Sequence, residues 1–107
     1  MRKYKVVITP DAKAGLKKYL SYLRDKKNNP QAVSNVLEDF RETKESLSNI
    51  ADIIAAPENE QLKKLGLKRL NFVKGHSYFL LFKISEDGVV YITDIFHMLE
   101  DFENKLR

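Results

Sequence analysis

The sequence predicts a single α+β domain spanning residues 1–107, with a helical hairpin packed on one face of a mainly antiparallel four-stranded sheet. The expected order is β-α-α-β-β-β, followed by a short closing helix. Three observations predict it. Apolar residues keep a helical spacing through the first half of the chain and change to alternation after Pro57. Proline stands directly behind a capping residue twice, in Thr9-Pro10 and Asn29-Pro30, which marks two helix starts. Glu86-Asp87-Gly88 separates two apolar runs as a hairpin turn does.

Taken in order, Tyr4–Ile8 reads as a first strand that is β-branched at its end. Thr9 then offers an N-cap hydroxyl, and Asp11 places a negative charge in the first turn, where the helix dipole favours it. Ala12, Leu16, Tyr19, Leu20 and Leu23 recur at helical spacing, so the first helix runs to about Lys26. Asn28-Asn29-Pro30 breaks it and starts a second helix. The apolar stripe of that helix is Val33, Val36, Leu37, Phe40, Leu47, Ile50 and Ile54, and Pro57 ends it. A short turn between two such helices implies an antiparallel hairpin. Lys68–Val73 alternates as a strand, with Leu70 and Phe72 inward and Arg69 and Asn71 outward. Lys74-Gly75-His76 makes the next turn. Tyr78–Ile84 is apolar on both faces, as a central strand covered on each side must be. Val89–Phe96 is the last strand, and Met98–Leu106 the closing helix.

Composition narrows the function. The hydrophobic fraction of 43% is that of a folded domain. No apolar run approaches the roughly 18 residues of a membrane span, and Val6-Val7-Ile8 is too short for a signal-peptide core. The absence of cysteine removes disulfides, thiolate catalysis, Fe–S clusters and the usual structural zinc sites. The expectation is a cytoplasmic protein with no membrane partner, no metal and no cofactor. The net charge of +4 is unevenly spread. Residues 1–27 carry nine Lys/Arg against two acids, and 61–83 carry six against none. The intervening 28–60 and the tail 84–107 are acidic. If the two basic blocks share a face, that face attracts a polyanion; Lys13, Lys17, Lys18 and Lys26 also fit the solvated side of a helix.

The chain resembles the RelE/ParE superfamily of toxins from bacterial type II toxin–antitoxin modules. The resemblance runs from Val6-Val7-Ile8-Thr9-Pro10-Asp11-Ala12 to Asp101-Phe102. It includes the basic Lys68-Arg69-Leu70, the turn and central strand Gly75-His76-Ser77-Tyr78-Phe79-Leu80-Leu81-Phe82, and Val90-Tyr91-Ile92-Thr93-Asp94-Ile95-Phe96-His97 followed by Glu100-Asp101. It implies a small toxin neutralised by a cognate antitoxin that is acidic, partly disordered and folds over the basic surfaces. Two biochemical branches exist. RelE-like members are metal-independent endoribonucleases, mRNA interferases that cut in the ribosomal A site. ParE-like members inhibit DNA gyrase without chemistry of their own, and here would dock through the basic first helix and the tail. The first expectation is ribosome-dependent mRNA cleavage, with the ribosome and mRNA as partners. The alternatives are a gyrase inhibitor, or an inactive interaction domain whose sheet edge or groove accepts a partner strand or helix.

Metal-free RNA cleavage needs a base for the 2′-hydroxyl, a cation for the pentacovalent phosphate and an acid for the leaving oxygen. Arg69 is the cation candidate, because a guanidinium binds phosphate oxygens bidentately. His97 and His76 titrate nearest neutrality and are the acid–base candidates. Lys68 and Lys74 would add charge along the RNA path, and Tyr78 or Tyr91 would stack on an unpaired base. Each residue also has a structural reading. His97 can end a strand and bond the backbone, and His76 can be an exposed turn residue. Tyr78 can pack in the core, and Arg69 can pair with an antitoxin acid. Two positions depart from the nuclease pattern: Phe79 stands where many RelE-like chains carry arginine, and Met98 where active nucleases often carry tyrosine or arginine. Losing two polar groups from one site lowers the rate by orders of magnitude unless something substitutes.

Overall fold

A computed structural model of the chain describes residues 3–75 and 77–106. His76, expected in the turn before the central strand and proposed for acid–base chemistry, lies outside the described residues. The elements are β1 (Lys5–Ile8), α1 (Pro10–Asp25), α2 (Pro30–Ile50), α3 (Glu60–Leu65), β2 (Lys68–Asn71), β3 (Tyr78–Ile84), β4 (Val89–His97) and α4 (Phe102–Lys105). They form one sheet in the order β1-β4-β3-β2. Only the β1–β4 pair is parallel; β4–β3 and β3–β2 are antiparallel. This is the expected fold class.

The caps behave as their chemistry predicts. Thr9 Oγ1 accepts from the Ala12 amide, and Asn29 Oδ1 accepts from the Ala32 amide. The Thr9 hydroxyl also donates to the Ile92 carbonyl at 2.8 Å, which ties the start of α1 to β4. Gly15 brings α1 close to the same strand, since a Cβ there would sit 3.3 Å from the Ile95 carbonyl oxygen.

Every residue from Tyr78 to Phe82 is buried, so β3 has a cover on each face. On the hairpin face, Tyr78, Leu80 and Phe82 pack with Phe72, Val90, Ile92 and Ile95 of the sheet and with Leu16, Phe40 and Leu47 of the helices. On the second face, Phe79, Leu81 and Phe96 pack with Leu62 and Leu67, and Phe102 and Leu106 join them. The helices therefore cover both faces, not one as the sequence suggested. The short α3 and α4 supply the second lid.

Three boundaries differ from expectation. The second helix stops at Ile50, and Ala51–Ile53 tightens into a 3-10 turn. α3 was not expected at all, although Asn59 caps its start and Gly66, at φ 70°, closes its end. The closing helix is only Phe102–Lys105, because residues 98–100 form a turn bonded back to His97.

The β2–β3 turn is fastened from α2. The carboxylate of Asp39, only 6% exposed, accepts from the Lys74 and Gly75 amides at 2.8 Å each. The buried Thr43 hydroxyl accepts from the Val73 amide and donates to the Asp39 carbonyl. Removing a partner from such a set leaves desolvated amides unpaired. Asp39→Ala should therefore cost about 1–3 kcal/mol in urea unfolding. Loss below about 0.5 kcal/mol would show that water replaces the carboxylate and that the clamp does not hold the turn.

Candidate functional site

Arg69 points onto the second face. Its β3 partner is Leu81, which belongs to the second-face cluster. The guanidinium lies over the Phe79 ring, with Cζ 3.8 Å from the centroid. Nε donates to Asn71 Oδ1 at 3.2 Å and Nη2 approaches Met98 Sδ at 3.1 Å. The two positions that depart from the nuclease pattern, Phe79 and Met98, are thus residues that hold this arginine. Burial pushes its pKa down, and among the described residues no carboxylate forms an ion pair with it. A cleft of about 770 Å³ opens beside it, lined by Pro57, Glu58, Asn59, Leu70, Val73 and Phe102 among others.

His97 is on the other face. It is the cross-strand partner of Tyr78, and its ring meets the Tyr78 ring edge-on at 4.9 Å. The cause is a bulge in β4. Leu81 pairs with Asp94 but Phe82 pairs with Ile92, so Thr93 is an extra residue. Strict alternation from Val90 and Ile92 would have put His97 on Arg69's face; the extra residue turns Ile95 and His97 to the hairpin side. His97 Nδ1 accepts from the Leu99 amide at 3.1 Å. Its own amide donates to Tyr19 Oη and to Glu100 Oε1. The Glu100 carboxyl is held below its ordinary range. Burial acts against this, but Lys105, the His97 amide and the charge of Lys18 outweigh it.

The other sequence candidates scatter. Lys68 pairs with Phe82, so it stands on the hairpin side of β2, away from Arg69. Lys74 pairs with Glu42 and Glu38 of α2, and chiefly the hydrogen bond to Glu42 raises its pKa. Tyr78, proposed as a base-stacking platform, is instead core. Its ring packs against Tyr19 at 5.2 Å and Phe72 at 5.7 Å as well as His97, and burial raises its pKa. Tyr91 is half-buried in a second-face cleft of about 610 Å³ with Thr9, Asp11, Lys83, Thr93 and Asp94. The structure brings together Arg69, Asn71, Phe79 and Met98, and separately Tyr19, Tyr78 and His97. It does not join Arg69 to His97.

The basic first helix and the tail, expected from the sequence as a docking surface, meet in a groove between α1 and the turn after β4, whose lining residues the sequence did not reveal. Lys18, Tyr19, Tyr22, Leu23, Lys27, His97 and Leu99 line it, around about 650 Å³. Tyr22 is 51% exposed and Leu99 89% exposed, an unusual display for large apolar side chains. The signal was present in the basic helix and the apolar Met98-Leu99, but only the fold puts them side by side. Among the described residues no group of three or more metal-ligating side chains could hold an ion, and no helix is long and apolar enough to cross a membrane.

Comparison with known proteins agrees with this architecture. The family described as "ParE toxin of type II toxin-antitoxin system, parDE" matches residues 6–102. A chain of the chromosomal ParDE toxin–antitoxin system from P. aeruginosa superposes with a TM-score of 0.71 at 17% identity, covering 89% of this chain and 96% of that one. A chain of the RelBE2 toxin–antitoxin complex from Mycobacterium tuberculosis superposes with a TM-score of 0.56 at 21% identity, covering 89% and 98%. No curated protein matches the sequence.

Asp94, at the bulge, carries a carboxyl pushed above its ordinary range by burial, against the hydrogen bond from Thr93 and with Asp11 adding repulsion. A raised folded-state pKa means that ionisation costs stability, a cost that is absent below the unfolded pKa near 4 and complete above the folded one. Asp94→Asn should therefore unfold at higher urea than the parent at pH 7, with the gap closing as pH falls through the ordinary aspartate range. A lower midpoint at pH 7 would mean that the ionised carboxylate stabilises the bulge.

Proposed function

Because the chain belongs to the ParE toxin family of type II toxin–antitoxin systems, we propose that it acts as a toxin that inhibits DNA gyrase by binding and without chemistry of its own. The observation that carries the reading is the separation of Arg69 and His97 onto opposite faces of the sheet. Phosphodiester cleavage requires the base and the phosphate-binding cation within reach of one scissile bond. Here the cation rests on Phe79 and Met98, neither of which can move a proton, and the histidine bonds its own turn.

The docking surface is the groove of α1 and the tail turn. Tyr22 and Leu99 supply the exposed apolar contacts, and aromatic anchors of this kind carry most of the energy of a protein interface. Lys18 and Lys27 line it together with one described carboxylate, Glu100, and the excess of positive charge speeds encounter with an acidic partner. A toxin of this kind is held in check by a cognate antitoxin, and the solved neighbours come from toxin–antitoxin systems.

The test is tightly controlled expression in bacteria with two readouts, plasmid supercoiling and mRNA 5′ ends. Growth arrest with lost supercoiling and intact messages is expected. Leu99→Asp and Tyr22→Asp should abolish it while leaving circular dichroism unchanged, whereas His97→Ala should still arrest growth. New 5′ ends confined to translated messages, lost in His97→Ala, would overturn the gyrase reading in favour of mRNA cleavage.

A further inference from the structure

Every amide of the turn after β4, from His97 to Glu100, has an acceptor. The Leu99 amide donates to His97 Nδ1 at 3.1 Å, and the Glu100 amide to the His97 carbonyl at 3.0 Å. In return the His97 amide donates to Glu100 Oε1 at 3.3 Å, shared with Tyr19 Oη at 3.1 Å. The Met98 amide donates to the Ser77 carbonyl at 2.9 Å, which fixes the turn to the residue before β3. A side chain that accepts from an amide ahead, with a glutamate three residues on that reaches back to the first amide, is the reciprocal pattern of a capping box. Here no helix follows directly, and the turn itself is what the pattern holds.

This turn displays Leu99, which is 89% exposed. A leucine so exposed adds little to the core, so packing does not account for a backbone fixed around it. Preorganisation does, because a contact held in its bound geometry loses less freedom when a partner arrives. Glu100 is out of place on charge alone. It is the one described carboxylate in a groove that Lys18 and Lys27 also line, and a negative charge there opposes the acidic partner those lysines favour. Its charge is instead directed inward, with the side chain only 19% exposed. Burial acts to raise its pKa, but the hydrogen bonds from Lys105 and the His97 amide, with the charges of Lys105 and Lys18, hold it below the ordinary glutamate range. Lys105 ends α4, whose Phe102 packs on the second face of the sheet with Leu106 beside it. The carboxylate therefore ties the turn to α4, and through α4 to the core.

We propose that Glu100 is a positioning residue of the docking surface: its carboxylate closes the 97–100 turn and so holds Leu99 where a partner receives it. The role rests on the docking reading above. Glu100 acts through Leu99, so its effect on binding exists only while the leucine is present.

Two measurements on the full chain test this. Amide exchange of the free protein reads the bracing: Glu100→Ala should speed exchange at Leu99 and at position 100 by about tenfold, with the β3 amides and the urea midpoint little changed. Titration against purified gyrase reads the docking. A turn left competent about a tenth of the time lowers affinity about tenfold. Glu100→Gln keeps an oxygen for the His97 amide and should lose less. In a Leu99→Ala background, Glu100→Ala should change affinity by less than about twofold, because no side chain remains to be positioned. A carboxylate that acted only as a charge would give the opposite sign, with Glu100→Ala binding tighter. Tighter or unchanged binding, an equal loss in the Leu99→Ala background, or unchanged exchange at Leu99 would each overturn the proposal while leaving the gyrase reading intact. Failure of the parent chain to bind gyrase would overturn that reading, and this role with it.

Discussion

The fold depends on β3 being buried on both faces. Phe79 and Leu81 project one way and Leu80 and Phe82 the other, all at 1% exposure or less. Each such side chain contributes about 1.5–3 kcal/mol only if water is excluded from it. One helical hairpin can cover one face. The second must be covered by whatever follows in the chain, which is why two helices as short as α3 and α4 exist. Neither is long enough to be stable alone; Leu62, Phe102 and Leu106 dock them onto Phe79, Leu81 and Phe96.

The same constraint acts on β4. Val90, Ile92 and Ile95 all have to face the hairpin, yet the step from 92 to 95 is odd. A period-two strand can do this only by inserting a residue. The bulge at Thr93 is that insertion, and it sits where the Thr9 hydroxyl fastens α1 to the Ile92 carbonyl. Everything beyond it is flipped. Packing of the hairpin face, not chemistry at the strand end, therefore determines on which side His97 emerges. Arg69, on a strand with no bulge, stays on the other side.

Much of this was legible in the sequence. Both helix starts, the change of period after Pro57, the two-faced character of Tyr78–Ile84 and the Gly88 turn follow from local chemistry, whereas Arg69, expected to point away from the core, lies half-buried on the second packed face. What escaped was of two kinds. α3 was written in Asn59 and Gly66, but six residues give too little periodicity to see. The bulge was written in the spacing of Ile92 and Ile95, yet its effect on His97 is non-local, since it matters only once β3 fixes which face is which. The charge blocks misled for a similar reason. Read linearly, the basic run at 61–83 looked free; folded, Lys74 is returned to Glu38 and Glu42 of the acidic run before it.

That partial neutralisation sharpens the character of what remains. An exposed strand edge is a hazard because it can template pairing with another chain. Here the edge is shortened to two residues by the Leu62 and Thr43 acceptors and carries Lys68 and Arg69, the kind of charge that discourages like pairing. These charges oppose a second copy of the strand, so the arrangement protects against self-association. Phe79 and Met98 hold the Arg69 guanidinium in place, it lacks a carboxylate among the described residues, and burial has already removed part of its water. That desolvation makes an unpaired arginine costly in the free protein.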